Sequence, residues 1–319
     1  MGGEDWKEKV DRTPYIIRIA AVTIILFFPA ITGYLSWATL FIPLLLFFLL
    51  SNFEEERVYA HLIPALAAGG IVSLFLHSLP AYFMAASLLP AGHALSYAAR
   101  REYPVWRSGL TACLALALIW FLGGVFLNLT LDKNLYREII ARLDSILVTT
   151  FKMYRDSGEL TPEMASQLNE AIKQLRVIIA RIFPAIALNT IIITVWLNQL
   201  LGNWLLKKTD STPPPWPEFN KWRVPDKLVW LLIGAGFALL LPQPVIQGIG
   251  LNLFLILGLV YSLQGLAVLS FLLTKWEVPI LFQVIIFSLI LLQTYSIIIL
   301  AFLGLADIWF NLRKEKQIT

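Results

Sequence analysis

The sequence predicts an all-α fold: a polytopic transmembrane bundle of about eight or nine spans, with an amphipathic helical hairpin between two membrane halves. Three observations carry this reading. Of the 319 residues, 58% are hydrophobic and only 14% charged, with a mean hydropathy of +0.72, whereas a soluble domain is roughly 25% charged. Apolar runs long enough to cross a bilayer, at about 20 residues each, recur along the chain. One long stretch, 135–175, is too polar to span but is periodic.

The spans follow in order. Residues 16–50 exceed one helix and are interrupted by Pro29 and Gly33, which gives two short spans or one span with a re-entrant piece. Glu54-Glu55-Glu56-Arg57 is a water-exposed turn. Further spans are expected at 58–77, 79–99, 108–129, 177–206, 228–241, 251–273 and 278–305. The domain organisation is therefore an N-terminal membrane half (1–130), the hairpin (131–176) and a C-terminal membrane half (177–319). The last of these contains a proline-rich linker at 209–226, where Pro213-Pro214-Pro215-Trp216-Pro217 stiffens the chain and Trp216 and Trp222 suit an interface.

In the hairpin, Leu135, Ile139, Ile140, Leu143, Ile146, Leu147, Phe151 and Tyr154 step by three and four along one helical stripe. Asp156-Ser157-Gly158-Glu159 marks a turn, and Thr161-Pro162 opens a second helix as N-cap and N1. That helix repeats the stripe through Met164, Leu168, Ile172, Leu175 and Ile179. The segment 131–176 carries seven basic and seven acidic residues. A helix adsorbed on anionic lipid shows a basic excess, so the neutral balance favours two helices packed through their stripes.

Cytoplasmic loops carry the lysine and arginine excess. An N-terminus on the inside places Arg57, Arg100, Arg101, Arg107, Lys207, Lys208, Lys221, Arg223, Lys227 and Lys275 there and leaves the hairpin outside. The basic tail (Arg313, Lys314, Lys316) asks for an even number of spans, and 16–50 is the segment where the count is open. The net charge of +4 reflects this topology rather than nucleic-acid binding. The single Cys113 leaves no intramolecular disulfide and no cysteine-based metal site.

Polar side chains within spans are candidate ligand contacts, because each is costly in hydrocarbon. The candidates are Asn189 and Gln199 in the sixth span, Asn252, Tyr261 and Gln264 in the eighth, and Gln293 in the ninth. The plainer reading of such amides is hydrogen bonding between helices. Asp307 reads as a headgroup-level residue balanced by Arg313. Ala65, Gly69, Ser73 and His77 recur every four residues, and 85–99 is rich in alanine, glycine and serine. Such faces pack helices closely, within the bundle or against a protein partner. His61, His77 and His93 share no helical face, and no metal-binding, phosphate-cradling or nucleophile motif is present. No catalytic residue, metal or cofactor is assigned.

Three stretches carry a family resemblance: Phe219-Asn220-Lys221-Trp222-Arg223-Val224-Pro225-Asp226-Lys227-Leu228-Val229-Trp230, Tyr261-Ser262-Leu263-Gln264-Gly265-Leu266-Ala267, and Gly304-Leu305-Ala306-Asp307-Ile308-Trp309-Phe310-Asn311-Leu312-Arg313. With them the chain resembles the YybS-like family of bacterial polytopic membrane proteins, to which no activity is assigned. The resemblance implies a multi-pass protein of the bacterial cytoplasmic (inner) membrane. It also implies fold-level kinship with the substrate-binding S components of energy-coupling-factor transporters, hence a cavity among helices and a membrane partner. Ala20, Ala21 and Ala30 do not form the every-fourth-residue alanine pattern of such components. The function expected is binding or moving a small or lipid-like ligand. The alternative is a non-transport scaffold that engages a partner through the 131–176 hairpin.

Overall fold

The computed structural model describes residues 15–32, 35–131, 135–156, 162–209, 214–293 and 295–313. Among them the regular elements are all helical: α1 (Tyr15–Thr32), a 3-10 turn (Ser36–Phe41), α2 (Ile42–Asn52), α3 (Glu55–Phe75), α4 (Leu79–Ala86), α5 (Leu89–Arg100), α6 (Val105–Leu131), α7 (Leu135–Asp156), α8 (Pro162–Lys208), a second 3-10 turn (Phe219–Lys221), α9 (Leu228–Leu240), α10 (Pro244–Lys275), α11 (Ile280–Leu292) and α12 (Ser296–Phe310). The hairpin turn expected at 157–159, its Thr161 cap, Pro213 and the tail lysines Lys314 and Lys316 lie outside the described residues.

Among the described residues, four helical segments are long and apolar enough to cross a bilayer: Glu55–Phe75, Val105–Thr130, Ser166–Lys208 and Pro244–Lys275. The expected eight or nine full spans are thus four long helices among shorter apolar ones. Residues 79–99 are not one span. Helix α4 ends at Ala86, and α5 restarts with Pro90 in its first turn, where a missing N–H loses no helical bond. Residues 278–305 are also divided, because α11 stops at Leu292 and α12 begins at Ser296. The 16–50 segment, where the count was open, is two separate helical pieces. Two expected single spans are thus each divided, one between α4 and α5 and one between α11 and α12. In contrast, the second hairpin helix and the sixth span are one helix, α8, of 47 residues, about 70 Å long.

The chain divides into two compact units, Met1–Ile119 with Ile191–Glu218, and Trp120–Thr190 with Phe219–Thr319. The end of the expected sixth span thus groups with the N-terminal half. In the first unit, small residues pack helices together. Ala65, Gly69 and Ser73 of α3 are buried, and the Phe27 ring of α1 lies 4.8 Å from that of Tyr82. Ala91, Ala94, Leu95 and Ala98 of α5 are buried likewise, and Phe47 of α2 stacks on Trp216 at 5.6 Å.

In the second unit, the hairpin helices are tied at their base. The Tyr136 hydroxyl donates to the Ala180 carbonyl at 3.3 Å, its ring meets Phe183 edge-on at 5.1 Å, and Arg176 pairs with Asp144. The stripe residues Ile139, Ile140, Leu143 and Leu147 are only half-exposed, as are Leu168, Ile172 and Ile179. Further on, α10 and α12 cross at two glycines. A Cβ on Gly265 would lie 1.9 Å from the Leu300 carbonyl oxygen, and one on Gly304 would lie 2.1 Å from that of Tyr261. Only glycine permits this approach.

At two prolines, one in each unit, an asparagine from another helix bridges a backbone carbonyl and N–H; Pro184 lies inside α8 and Pro43 in the first turn of α2. Proline lacks an N–H, and its ring pushes the preceding turn open. At Pro184 in α8, the Ala180 carbonyl would face no donor, and it receives the Tyr136 hydroxyl. The next pair, the Arg181 carbonyl and the Ala185 N–H, is bridged by Asn252 of α10. Its Nδ2 donates to Arg181 at 2.9 Å, and its Oδ1 accepts from Ala185 at 2.8 Å. At Pro43, Asn198 of α8 donates to the Leu40 carbonyl at 2.7 Å and accepts from the Leu44 N–H at 2.7 Å. Each amide also donates to its own helix four residues back, at Gly248 and Thr194 respectively.

Replacing either amide with an isosteric apolar group strands one carbonyl and one N–H where no water reaches them. Asn252→Leu and Asn198→Leu are each expected to lose about 2 kcal/mol or more of stability, read as a lower unfolding midpoint in detergent. Thr111→Val, which removes a hydroxyl bonded only to its own helix, is the baseline. Midpoints equal to that baseline would refute the bridging role.

Candidate functional site

The residues singled out for ligand contact do not converge on one cavity. Gln199, in the first unit, donates through Nε2 to the Val105 carbonyl at 3.0 Å. Asn189 reaches the Leu255 carbonyl at 3.5 Å, and its Oδ1 is buried without a hydrogen-bond partner. Asn252 is held at the Pro184 break. Gln293 is exposed at the junction of α11 and α12. Gln264 meets further polar chemistry at the end of α12, while Tyr261, one turn away, is buried with its hydroxyl lacking a hydrogen-bond partner.

That chemistry centres on Asp307, which pairs with Arg313 as expected and is buried, with 1% of its side chain exposed. Helix α12 ends in Asn311 with a positive φ of 43°, a left-handed residue that turns the chain sharply. The turn brings Arg313 back over the helix end, where Nη2 and Nε donate to Asp307 Oδ2 at 2.6 and 3.1 Å. The Nη1 of Arg313 donates to the carbonyls of Asn220 and Trp222 at 3.0 and 2.7 Å. The guanidinium thus ties the 219–223 loop to the end of α12. Gln264 completes the tie: Nε2 donates to the Gly304 carbonyl at 3.0 Å and Oε1 accepts the Val224 N–H at 3.2 Å. The glycine crossing of α10 and α12 is what allows Gln264 to reach both.

Beside this buried pair is a cavity of about 230 Å³, lined by Asn220, Lys221, Arg223, Phe271 and Arg313. Arg223 is half-exposed. It donates to the Asn311 side chain and holds its Nε 3.9 Å from Asp307 Oδ2. Lys221 is exposed. Three cations therefore line the cavity; Arg313 is paired with Asp307 through Oδ2, while Asp307 Oδ1 is buried without a hydrogen-bond partner. Asn220 Oδ1 is buried without a hydrogen-bond partner, while Phe271, itself buried, supplies an apolar wall. Such a set suits an anionic group bearing hydroxyls, with Arg223 and Lys221 as the available cations.

Sequence reasoning did not select Asn220, Lys221 or Arg223 as ligand contacts, because each reads as a loop residue next to a span. One signal could have found them. The three stretches that carry the family resemblance, 219–230, 261–267 and 304–313, supply Arg223, Gln264, Asp307 and Arg313, and these meet around a single carboxylate.

Removing one member of a buried ion pair leaves the other charge uncompensated, at a cost of about 3–5 kcal/mol. Asp307→Asn is expected to destabilise the protein on this scale, with Asp307→Leu/Arg313→Met milder than Asp307→Asn alone. A thermal-unfolding cycle in detergent checks this, and additive effects of the two sites would show that the pair does not act as one unit.

Comparison with known proteins gives no match among curated proteins and none among solved structures. A family model does match, over residues 17–308, which is most of the chain. The chain therefore belongs to the family described as predicted membrane protein (DUF2232).

Proposed function

We propose that this protein is a multi-pass protein of the bacterial cytoplasmic membrane that binds a small or lipid-like ligand through an anionic group held at the Asn220–Lys221–Arg223–Arg313 cavity. The observation that carries this is the lining of the cavity, where Lys221, Arg223 and Arg313 stand with no carboxylate among the lining residues, and where Arg313 is the one paired with Asp307. The intramembrane amides support the cavity rather than contact the ligand, since Asn252 and Gln264 bond main-chain groups. No transport step enters this reading.

Orientation follows from the second unit by itself. Lys221, Arg223, Lys227, Lys275 and Arg313 belong to the end that holds the cavity. Asn252 and Gln247 lie against Arg181 at the hairpin end, about 28 Å along α10 from Phe271. The cavity end is basic and so faces the cytoplasm, and the charge-balanced hairpin projects to the other side. Single cysteines placed at Arg142 and Lys221 in a Cys113→Ala background are expected to react with a membrane-impermeant thiol reagent from opposite faces of intact cells. Labelling of both from outside would overturn the orientation.

Binding is tested with inorganic phosphate and a short-chain phosphatidylglycerol, titrated into purified protein while following tryptophan fluorescence. Trp222 adjoins the cavity through its carbonyl bond to Arg313. A saturable response is expected, weakened on the order of tenfold for each of Lys221→Gln and Arg223→Gln. Response to the lipid alone would identify a headgroup, and response to both a free anion. No saturable response to either would sink the proposal.

The scaffold reading keeps one specific support. Ile146 and Met153 of α7 are 61% and 71% exposed although the stripe beside them is half-covered by α8. An apolar contact for a protein partner is the second function to test, by pull-down with Ile146→Glu/Met153→Glu.

A further inference from the structure

The first unit carries its own concentration of cations, independent of the cavity. Residues 58–99 contain no Asp, Glu, Lys or Arg, so the charge of the bundle gathers at one end, where α2 and α5 finish and α3 and α6 begin. Arg100 joins those elements by bonding Glu55 at 2.9 Å and the Leu50 carbonyl at 2.7 Å. Arg57 pairs with Glu54 at 3.1 Å.

Three other cations there lie on aromatic rings. The Arg101 guanidinium is 5.5 Å from the Tyr97 ring centre, that of Arg107 is 4.1 Å from Tyr103, and Lys208 Nζ is 4.3 Å from Trp204. Tyr97 and Tyr103 are in turn edge to face at 6.4 Å, so two arginines flank one aromatic pair. Trp216 fixes the loop from beneath, with its Nε1 donating to the Tyr103 carbonyl at 3.0 Å and its own carbonyl accepting Lys207 Nζ at 2.7 Å. Among the described residues, none of the three ring-held cations has a carboxylate in salt-bridge range. Glu102, Asp210 and Glu218 are the neighbouring acids in the sequence of the same loops, against Arg101, Arg107, Lys207 and Lys208.

We infer that this end of the first unit is a docking surface for anionic lipid headgroups of the leaflet it faces. A ring beneath a guanidinium or ammonium holds the charge in place without consuming its N–H donors. Tyrosine and tryptophan settle at the headgroup level. The apolar wall that acyl chains need continues from the same turn: Trp106, Leu110, Leu114 and Leu118 step by four along α6, and each is exposed. Headgroup phosphate above and acyl chain below is the arrangement of a lipid rather than of a soluble anion or an acidic peptide.

The test uses the full-length protein in phosphatidylcholine bilayers containing a minor share of phosphatidylglycerol. The probe is a photo-crosslinking phosphatidylglycerol analogue, with mass spectrometry of the labelled peptides. Labelling is expected at 97–107 and 204–208, competed by unlabelled phosphatidylglycerol but not by phosphatidylcholine. In Arg101→Gln/Arg107→Gln/Lys208→Gln it should fall about fivefold or more, while Lys221→Gln/Arg223→Gln leaves it intact, which separates this surface from the cavity of the other unit. Equal labelling in the triple variant, or equal competition by phosphatidylcholine, would overturn the inference. The competition arm needs only the unsubstituted protein, so it decides the matter even where the triple variant does not fold.

Discussion

In hydrocarbon a backbone carbonyl or N–H without a partner has no water to turn to, and this constraint governs most of the polar chemistry in the chain. Pro184 breaks a turn inside α8 and Pro43 begins α2 after a 3-10 turn, and at each a carbonyl and an N–H are bridged by one asparagine from another helix. An asparagine is the smallest side chain with a donor and an acceptor side by side, so it can span a C=O and an N–H that a regular turn would have paired directly. The same amide donates to its own helix four residues earlier, which fixes its orientation before it reaches across. The repair therefore fastens two helices at a defined height as well as satisfying two backbone groups.

That fastening has consequences along α10. With Asn252 set against the Pro184 break, the helix runs on to its glycine crossing with α12, where Gly265 and Gly304 allow backbone contact that any side chain would block. The crossing in turn delivers Gln264 to the Gly304 carbonyl and to the 219–223 loop. Only because the loop is held from both sides, by Gln264 and by Arg313, do Lys221 and Arg223 stand at the rim of one cavity rather than on a free connection.

Much of the helical architecture was legible in the sequence. The stripes at 135–154 and 164–179 were readable because periodicity is a local property, and the segments carrying them are helical in α7 and α8 among the described residues. The small-residue steps of Ala65, Gly69 and Ser73 were readable for the same reason, and here they pack within the unit. Breaks without glycine or proline were not readable. The stop of α11 at Leu292 lies in an apolar run without glycine or proline, so no local signal marks it. Partners across the fold were also out of reach. Asn198 meets Leu40 across 158 positions of sequence, and nothing in either neighbourhood announces the other.

The same physics separates the cations by role. A guanidinium as enclosed as that of Arg313 must be paired and hydrogen-bonded, because the desolvation cost of a charge exceeds what any one contact returns. Asp307 and two loop carbonyls meet that demand, so Arg313 is a structural charge. Arg223 stays half-exposed at 3.9 Å from the same carboxylate oxygen. At that distance and exposure its attraction to Asp307 is largely screened by water. The proposed anion would compete with solvent and with the Asn311 side chain for Arg223 rather than with a tight ion pair, and Lys221 has no carboxylate in salt-bridge range among the described residues. The proposed anion site rests on this division: a paired inner arginine keeps its geometry while the less enclosed outer cations exchange partners.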